Sequence, residues 1–393
     1  MSPDQLSTKT PKTGLASLGL EPKQNAPLLE IDDLRTHFEI ANGTVHAVDG
    51  VSLDVQRRQT LGIVGESGSG KTVLSRSAMG LLQAANLFQS GEVRYQGHDI
   101  VGMPEKQRRR LWGTEMAMVF QDPMTSLNPV MKIGQQITES LRYHLGMSKS
   151  EARETALAGL KAVGIPAAEQ RIDEYPHQLS GGMRQRVTIA VALACGPKLL
   201  FADEPTTALD VTVQAQILDL LDHERRERNM GMILVTHDLG VVAGRADVVA
   251  VMYAGQVVEL APTEELFTHV RMPYTEALLQ AIPKLNQPSH TKLNVISGRP
   301  PDLVKPPKGC RFAPRCPYAQ PKCVAEPPPL VESSTPGHFY RCWFPVNTSA
   351  DDAPAAAKVE VTTKSEAKAT DHVITPVESS SGDATGDTND AKE

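Results

Sequence analysis

The sequence GESGSGKT at residues 65–72 fits the phosphate-binding pattern G-x-x-x-x-G-K-[ST]. An apolar run at residues 59–64 precedes it and predicts a buried strand, while residues 73–82 that follow have helical character. Glycines allow a close approach of the backbone to phosphate, and the N-terminus of a helix adds partial positive charge. The alternative is a glycine-rich turn that binds no ligand. It does not explain why the glycines, the lysine and the threonine all match the phosphate-binding pattern. The stretch therefore predicts a nucleotide site formed by Gly65, Glu66, Ser67, Gly68, Ser69, Gly70, Lys71 and Thr72.

Two side chains of this loop have expected roles. Lys71 can reach the β- and γ-phosphates, and Thr72 can offer its hydroxyl group to Mg²⁺. The loop by itself predicts nucleotide binding and leaves the use of the nucleotide open.

Charge is distributed unevenly along the 393 residues. The chain has 40 basic and 46 acidic residues, a net charge of −6, and residues 347–393 hold ten acidic and four basic residues, which is also −6. The rest is formally neutral and gives no support for nucleic-acid binding. A basic run at residues 106–110 is explained as a solvated helix face.

Hydropathy gives an expectation about location. No apolar run is long enough to span a bilayer, and the N-terminus lacks a signal-peptide pattern. We expect a soluble, cytoplasmic chain whose membrane role, if it has one, depends on partners.

The N-terminal part predicts a lead followed by a small antiparallel sheet. Residues 1–27 are polar and without periodicity, which predicts a disordered lead. Residues 29–38 and 45–55 resemble strands separated by an Asn-Gly turn signal. Phe38, at the end of the first strand, fits either a core position or stacking on an adenine ring.

Polar residues end several predicted buried strands. Residues 116–120 run into Gln121, residues 199–202 into Asp203 and Glu204, and residues 232–235 towards His237. In open α/β sheets ligands bind at the carboxyl edge, where such residues meet. Asp203 could hold Mg²⁺ through water, and Glu204 could polarise an attacking water molecule. A histidine at such a position is usually structural, but His237 could also contact the γ-phosphate.

The middle of the chain predicts a helical insertion. Residues 128–179 have helical character, and Ser148 with Glu151 forms a capping-box pattern. The sequence LSGGM at residues 179–183 then starts an apolar helix. It is either a plain helix start or a second phosphate-binding helix terminus.

These motifs, in this order, resemble the nucleotide-binding subunit of ABC transporters over residues 28–261. The resemblance assigns residues 65–72 to Walker A, residues 179–183 to the signature (departing from LSGGQ at Met183) and residues 199–203 to Walker B. It implies an α/β fold with a phosphate-loop core sheet, an antiparallel β subdomain and a helical subdomain at about 128–185. The remaining family positions match Phe38 (A-loop), Gln121 (Q-loop), Ser180, Gly181 and Gly182 (signature), Asp203 (Mg²⁺), Glu204 (catalytic glutamate), Asp210 (D-loop) and His237 (switch histidine).

The resemblance also implies a shared active site. In the family two such domains pair head to tail, and the signature of one closes over ATP held by Walker A of the other. One cassette therefore needs a second copy or a paralogue, and we expect a paralogue. Thr72, Gln121 and Asp203 are implied Mg²⁺ positions, and no essential residue is visibly lost, so ATP hydrolysis is expected.

The C-terminal segment narrows the resemblance. Residues 271–279 (RMPYTEALL), 307–316 (PKGCRFAPRC) and 120–129 (FQDPMTSLNP) resemble the oligopeptide/dipeptide importer branch. This implies a peptide-importer ATPase subunit at the cytoplasmic membrane face, with two membrane permeases, an extracytoplasmic binding protein and a C-terminal extension at 262–346. Alternatives are an importer for another substrate such as nickel, or a soluble ABC ATPase. The latter predicts tandem cassettes, coiled-coil insertions or a basic face, none of which the sequence contains.

Four of the five cysteines cluster in this extension, with spacings of x5, x6 and x18: Cys310, Cys316, Cys323 and Cys342. Four thiolates can bind Zn²⁺ or an iron–sulfur cluster. The lack of C-x-x-C disfavours a zinc ribbon, and a reducing cytoplasm disfavours disulfides. The resemblance implies a 4Fe–4S cluster, with zinc as the alternative.

Two further expectations complete the sequence analysis. Cys195, on an apolar helix, is predicted to be a buried packing residue. Residues 347–393 lack aromatic side chains and are rich in Ala, Thr, Ser, Asp and Glu, which predicts a disordered acidic tail.

Overall fold

The structure is a computed structural model that describes residues 13–207, 209–282 and 296–347. Of the tail predicted at residues 347–393, all but Asn347 lies outside the described residues. The strands are β1 (Leu29–Ile40), β2 (Gly43–Val55), β3 (Thr60–Val64), β4 (Leu87–Tyr95), β5 (His98–Asp99), β6 (Met116–Val119), β7 (Leu199–Asp203), β8 (Gly231–Thr236), β9 (Val248–Tyr253), β10 (Gln256–Pro262), β11 (Val331–Glu332) and β12 (Phe339–Tyr340). The α-helices are α1 (Lys71–Ala78), α2 (Glu105–Arg108), α3 (Pro123–Ser126), α4 (Ile133–Leu145), α5 (Lys149–Ala162), α6 (Ala168–Arg171), α7 (Gly181–Leu193), α8 (Val211–Glu227), α9 (Leu239–Ala243), α10 (Thr263–Thr268), α11 (Pro273–Ala281) and α12 (Pro321–Ala325).

A mixed eight-stranded sheet forms the centre of the fold. Its strand order is β11-β12-β10-β9-β3-β8-β7-β6. Strands β6, β7, β8, β3 and β9 are parallel, and the remaining pairs are antiparallel. The parallel strands end together, since Val64 is in register with Thr236 and Asp203 with Val235.

The parallel strands are buried on both faces. In β7, Leu199 and Phe201 pack into one core cluster and Leu200 and Ala202 into the other. This alternation follows the two-residue period of a strand, and the continuous apolar run is typical of a sheet that is covered on both sides. One cluster includes residues of the antiparallel sheet, and the other includes residues of the helical region.

A second, antiparallel sheet confirms the expectation for the N-terminal region. Its order is β2-β1-β4-β5, and residues Ala41 and Asn42 connect β1 to β2. The Asn-Gly signal therefore lies at the predicted turn.

The helical region contains α4, α5, α6 and the start of α7. The predicted capping box is present, because the Ser148 side chain accepts a hydrogen bond from the Glu151 N–H and the Glu151 side chain accepts one from the Ser148 N–H. Gly164, with a φ of 74°, follows the end of α5. Across the described segments, no helix combines the length and apolar character that crossing a bilayer requires.

The expectation of a disordered lead is wrong for residues 13–27. Residues Leu15–Leu18 form a 3-10 helix, and Leu15 is buried in the core cluster beside the antiparallel sheet. The Gly14 N–H donates to the Arg110 carbonyl, and the Thr13 hydroxyl donates to the His144 carbonyl. The lead is mostly polar but contains a few leucines. Their burial offsets the conformational entropy that is lost when this segment becomes ordered. Residues 1–12 lie outside the described residues.

The C-terminal segment is joined to the main sheet. Strand β12 pairs with β10 through Glu259 and Tyr340. The buried His338 beside β12 lies 2.9 Å from Glu259 Oε1 and 3.3 Å from Glu265 Oε1. These contacts fix the segment against β10 and α10, at the edge of the main sheet.

Candidate nucleotide site

The carboxyl edge of the parallel sheet brings the predicted site residues together. The phosphate loop follows β3, Gln121 follows β6, Glu204 follows β7 and His237 follows β8. Because neighbouring parallel strands end in register, these side chains converge although they are up to 172 positions apart in the sequence (237 − 65). This is the ligand-binding edge expected of an open α/β sheet.

The phosphate loop packs tightly against β2. Gly70 has a φ of 102°, and a Cβ atom there would lie 2.2 Å from the Ala47 carbonyl oxygen. Only glycine fits both the backbone conformation and this approach. The loop is thereby held at the N-terminus of α1, where backbone N–H groups and the helix dipole favour an anion.

Lys71 is almost fully buried, with 4% of its side chain exposed. Its ammonium group donates to the Gly65 carbonyl at 2.8 Å and the Glu66 carbonyl at 3.0 Å. Burial lowers the pKa of Lys71, and the nearby carboxylates of Glu204 and Asp203 oppose that shift. A phosphate group is a stronger partner for this ammonium group than two carbonyls.

Asp203 and Thr72 meet beside the loop. The Thr72 hydroxyl donates to Asp203 Oδ1 at 3.0 Å, whereas the buried Oδ2 has no hydrogen-bond partner. Burial is the main cause that raises the pKa of Asp203. An unpaired buried carboxylate oxygen next to a hydroxyl is costly without a cation, and both are oxygen ligands that Mg²⁺ prefers. The two residues therefore fit a magnesium ion.

The Glu204 carboxylate is the group that most of the other polar side chains of the site contact. Its Oε2 accepts hydrogen bonds from Gln121 Nε2 at 3.1 Å and the Thr207 hydroxyl at 2.9 Å, and it lies 3.3 Å from His237 Nδ1. Its Oε1 is 3.9 Å from Lys71 Nζ. Sequence reasoning identified Gln121, Glu204 and His237 separately, but their convergence on one carboxylate and the role of Thr207 required the structure.

The backbone of Glu204 is also unusual, with a φ of 44°. A non-glycine residue in the left-handed region costs on the order of 1 kcal/mol and persists where the surrounding structure fixes it. Here the Glu204 N–H bonds the Val235 carbonyl. The strained position thus points the carboxylate from the end of β7 towards the phosphate loop.

The signature residues form a separate group at the start of α7. The Ser180 hydroxyl caps this helix by accepting from the Met183 N–H at 3.4 Å. A Cβ atom added at Gly181 would lie 3.8 Å from the Leu209 side chain, and one added at Gly182 would lie 2.9 Å from the Val213 side chain. These two contacts flank Asp210, which caps α8. Ser180, Gly181, Gly182 and Asp210 therefore lie together at two helix N-termini.

Phe38 lies on the antiparallel sheet near the loop. It is half-buried and pairs with Val45 across the strand. Two residues further along β2, Ala47 contacts Gly70 of the phosphate loop. The position suits contact with a base attached to bound phosphates, and it suits a packing role equally well.

Glu66 makes contacts that sequence reasoning missed. Its backbone N–H donates to the Tyr274 hydroxyl at 2.9 Å, and its carboxylate forms a two-pronged ion pair with Arg315 at 2.6 and 3.0 Å. Both polar groups of this loop residue are therefore bonded within the protein. No local pattern signals these partners, since Arg315 lies 249 positions away.

The four late cysteines line one small cavity. Aromatic residues, including Phe312 and Trp343, and Met272 complete the lining. All five cysteines of the chain are unpaired thiols. Burial raises the pKa of Cys310 and Cys316, and it raises the pKa of Cys342 to about 12.

Cys195 differs from this group. It follows the end of α7 and is partly buried against the core. Burial raises the pKa of its thiol to about 11. A thiol with this pKa stays protonated and unreactive at neutral pH, in line with a packing role.

A further group of potential ligands lies on the antiparallel sheet. His37, His46 and Asp49 each place one ligand atom within 4.8 Å of the others. Asp49 is already paired with Arg35 and Arg311, whose positive charges disfavour a cation there. We treat this group as part of the packing between β2 and the C-terminal segment.

Comparison with known protein families supports the resemblance to ABC transporters that the sequence motifs indicated. Residues 48–207 match the family model described as ABC transporter, and residues 258–323 match the oligopeptide/dipeptide transporter C-terminal region. The oligopeptide transport ATP-binding protein OppD of Escherichia coli strain K12 is 48% identical over 331 residues, covering 84% of this chain and 97% of that protein. This chain belongs to the ABC transporter family, in its oligopeptide/dipeptide branch. A putative peptide import ATP-binding protein of Brucella abortus strain 2308 is 50% identical, covering 81% of this chain and 95% of that one.

Solved structures support the ABC ATPase fold. The dimeric ATP-binding cassette MJ0796, in a post-hydrolysis state bound to ADP and Pi, is similar with a TM-score of 0.54 and 26% identity, covering 60% of this chain and 98% of that one. CbiO1 of Clostridium perfringens, part of an ABC transporter complex, gives a TM-score of 0.52 at 29% identity, with coverages of 61% and 90%. The cassette thus accounts for about three fifths of this ABC chain.

Proposed function

We propose that this chain is the ATP-hydrolysing subunit of an ABC importer for di- and oligopeptides. The observation that carries the proposal is the convergence of Gln121, Thr207 and His237 on Glu204 beside the phosphate loop. The peptide assignment is supported by the relatives at 48–50% identity and by the matching C-terminal region.

The proposed chemistry assigns each group at the sheet edge a role. Lys71 exchanges its two loop carbonyls for the β- and γ-phosphates of ATP, and the loop amides bind the remaining oxygens. Glu204 accepts a hydrogen bond from water and aims it at the γ-phosphate, while Gln121 and His237 hold the carboxylate in place. Mg²⁺ would be held by Thr72, Asp203 and Gln121, and it would neutralise the phosphate charge that develops during hydrolysis.

The proposed domain organisation follows the family matches. We assign residues 28–261 to the ATPase domain, with a helical subdomain at about 128–185, and residues 262–346 to the extension. The matches to 48–207 and 258–323 support this division. The pairing of β12 with β10 makes the extension an integral edge of the ATPase sheet.

The proposed partners follow from the family to which the chain belongs. An importer of this type needs two membrane permease subunits, an extracytoplasmic substrate-binding protein and a second ATPase subunit, for which we favour a paralogue. The dimeric state of the similar cassette MJ0796 supports pairing. The chain would then bind peripherally at the cytoplasmic face of the membrane.

Peptide uptake tests the proposed function directly. In cells whose chromosomal gene carries Lys71→Ala, we expect uptake of labelled di- and oligopeptides to be lost, because the charge-assisted phosphate contact is removed. Uptake of the free amino acids serves as the control and should be unchanged. Normal peptide uptake with loss of another solute, such as nickel, would contradict the peptide assignment.

We further propose that the four-cysteine cavity binds a 4Fe–4S cluster with a structural role. Cys310, Cys316, Cys323 and Cys342 all line one small cavity. Four thiolates can bind the iron atoms of such a cluster or a single zinc ion. The resemblance to the oligopeptide/dipeptide importer branch favours the cluster.

The extension has a physical need for such a group. Within its residues 296–346, helix α12 and strands β11 and β12 have five residues or fewer, and many prolines interrupt this part. A segment with little regular structure gains order from a metal centre or a cross-link. Burial raises the pKa of the Cys310, Cys316 and Cys342 thiols, which therefore stay protonated at neutral pH unless a metal replaces the proton.

Anaerobic purification tests the cluster. The protein should be brown, absorb broadly near ~400 nm and contain iron and sulfide. Cys316→Ser should lose the colour and make residues 296–347 more sensitive to protease, whereas Cys195→Ser, the matched control, should change neither property. Stoichiometric zinc without iron would replace the cluster with a zinc site.

A further inference from the structure

Glu66 occupies a position of the phosphate loop that the binding pattern leaves free. Its carboxylate, carried by the loop itself, would lie close to the phosphates of bound ATP and would repel them by charge. The structure pairs it with Arg315, whose two terminal nitrogens contact the two carboxylate oxygens at 2.6 and 3.0 Å. Such a two-pronged pair fixes both charge and geometry.

The Arg315 side chain is held on every side. Besides Glu66, it donates to the Tyr253 hydroxyl, the Ser297 carbonyl and the Ile296 carbonyl at 3.0–3.3 Å. Only 3% of the side chain is exposed. A guanidinium group stays protonated at physiological pH, so the positive charge of Arg315 is permanent. Solvent screening, which weakens surface ion pairs, is therefore small here.

A second contact reaches the loop from the same side. The buried Tyr274 hydroxyl, at the start of α11, accepts the hydrogen bond from the Glu66 N–H at 2.9 Å. Its ring packs with Tyr253 and Phe312, with ring centroids 4.5 and 5.3 Å away. The rigid aromatic group thus holds the loop backbone while Arg315 holds the side chain.

We propose that Arg315 and Tyr274 are positioning residues by which the C-terminal extension sets the affinity of the phosphate loop for ATP. Arg315 neutralises the Glu66 carboxylate and turns it away from the phosphates, and Tyr274 fixes the loop backbone. The inference rests on the proposed function, in that this loop binds ATP. It assigns the extension a task in the nucleotide site itself.

If the unpaired charge of Glu66 lowers the ATP affinity, removing that charge should restore the affinity. A loss of affinity caused by poorer packing would not be restored in this way. In Arg315→Gln the Glu66 carboxylate is unpaired and repels ATP. In the double variant Glu66→Gln/Arg315→Gln this charge is absent, so ATP affinity should recover. Arg315→Lys keeps the charge with a single contact and should lie between Arg315→Gln and the unaltered protein.

Equilibrium binding of a fluorescent ATP analogue to the full-length chain measures the effect. We expect Arg315→Gln to raise the Kd about five- to tenfold, in the usual range for coupled sites. Arg341→Gln is the matched control, since Arg341 also precedes a cysteine of the cavity but bonds the Val257 and Pro328 carbonyls. It should leave the Kd unchanged.

Amide hydrogen exchange tests the positioning without ligand. Peptides that cover residues 65–70 should exchange faster in Arg315→Gln and in Tyr274→Phe, which lacks only the hydroxyl, than in the unaltered protein. The Arg341→Gln control should show faster exchange near residue 341 and unaltered exchange in the loop. This readout stays valid if a variant binds ATP too weakly to be measured.

Two outcomes would overturn the proposal. An unchanged Kd in Arg315→Gln together with unchanged loop exchange overturns it, as does a double variant that binds no better than Arg315→Gln. Lys71→Ala separates this failure from failure of the proposed function. If Lys71→Ala also binds ATP normally, the loop is not the nucleotide site. If Lys71→Ala loses ATP binding while the Arg315 variants bind normally, only the proposed role of Arg315 is wrong.

Discussion

Glu204→Gln should lower ATP hydrolysis about 10²- to 10³-fold while ATP binding is retained, as expected when a group that orients and deprotonates water is removed. The amide has nearly the same size as the carboxylate, and its oxygen can still accept from Gln121 and Thr207, which hold Oε2 at 3.1 and 2.9 Å. Lys71, Thr72 and Asp203 are unaltered, so the phosphate and magnesium contacts remain.

Steady-state phosphate release by the assembled transporter, together with the Kd for ATP, measures this result. Glu227→Gln is the control, because it makes the same change at an exposed glutamate at the end of α8. Near-normal turnover by the Glu204→Gln complex would rule out the assigned role of Glu204. A large loss of ATP binding would instead show that the contacts of the Glu204 carboxylate are needed for the conformation of the phosphate loop.

ATP should drive the chain into a complex with a second ATPase subunit. The isolated chain should hydrolyse ATP at least about tenfold more slowly than the complex, because hydrogen-bond donors to the γ-phosphate would be missing. Ser180 caps α7, Gly181 and Gly182 are the first two residues of that helix, and Asp210 caps the neighbouring α8. A second helix N-terminus of this kind is explained when it closes over nucleotide bound by a partner.

Sedimentation velocity, with and without ATP, measures the pairing for the chain alone and for the chain mixed with a paralogous ATPase subunit. Glu204→Gln should strengthen it by preventing turnover, and adding Ser180→Arg should abolish it by placing a long side chain at the phosphate-facing helix start. Ser148→Arg is the control, because Ser148 caps α5 in the same way. Full activity from a strictly monomeric chain would contradict the shared site.

The sequence by itself was enough to predict which residues form the nucleotide site. Short-range patterns sufficed, because a phosphate loop, a helix cap such as Ser148 and a buried strand ending in Asp203 are each specified within a few residues. The strand ends then had to meet at one edge, since parallel strands of one sheet are aligned. The resemblance to ABC transporters followed from the order of these motifs, and the family comparisons confirm it.

The tertiary structure decided what depends on contacts between distant residues. It placed the polar lead at residues 13–27 on the core through Leu15, where composition predicted disorder. It gathered Gln121, Thr207 and His237 on one oxygen of Glu204. It also joined Glu66 to Arg315 across 249 positions. Periodicity and motif spacing report local conformation and burial, whereas the partner of a buried charge is set by how the sheet, loop and extension pack together.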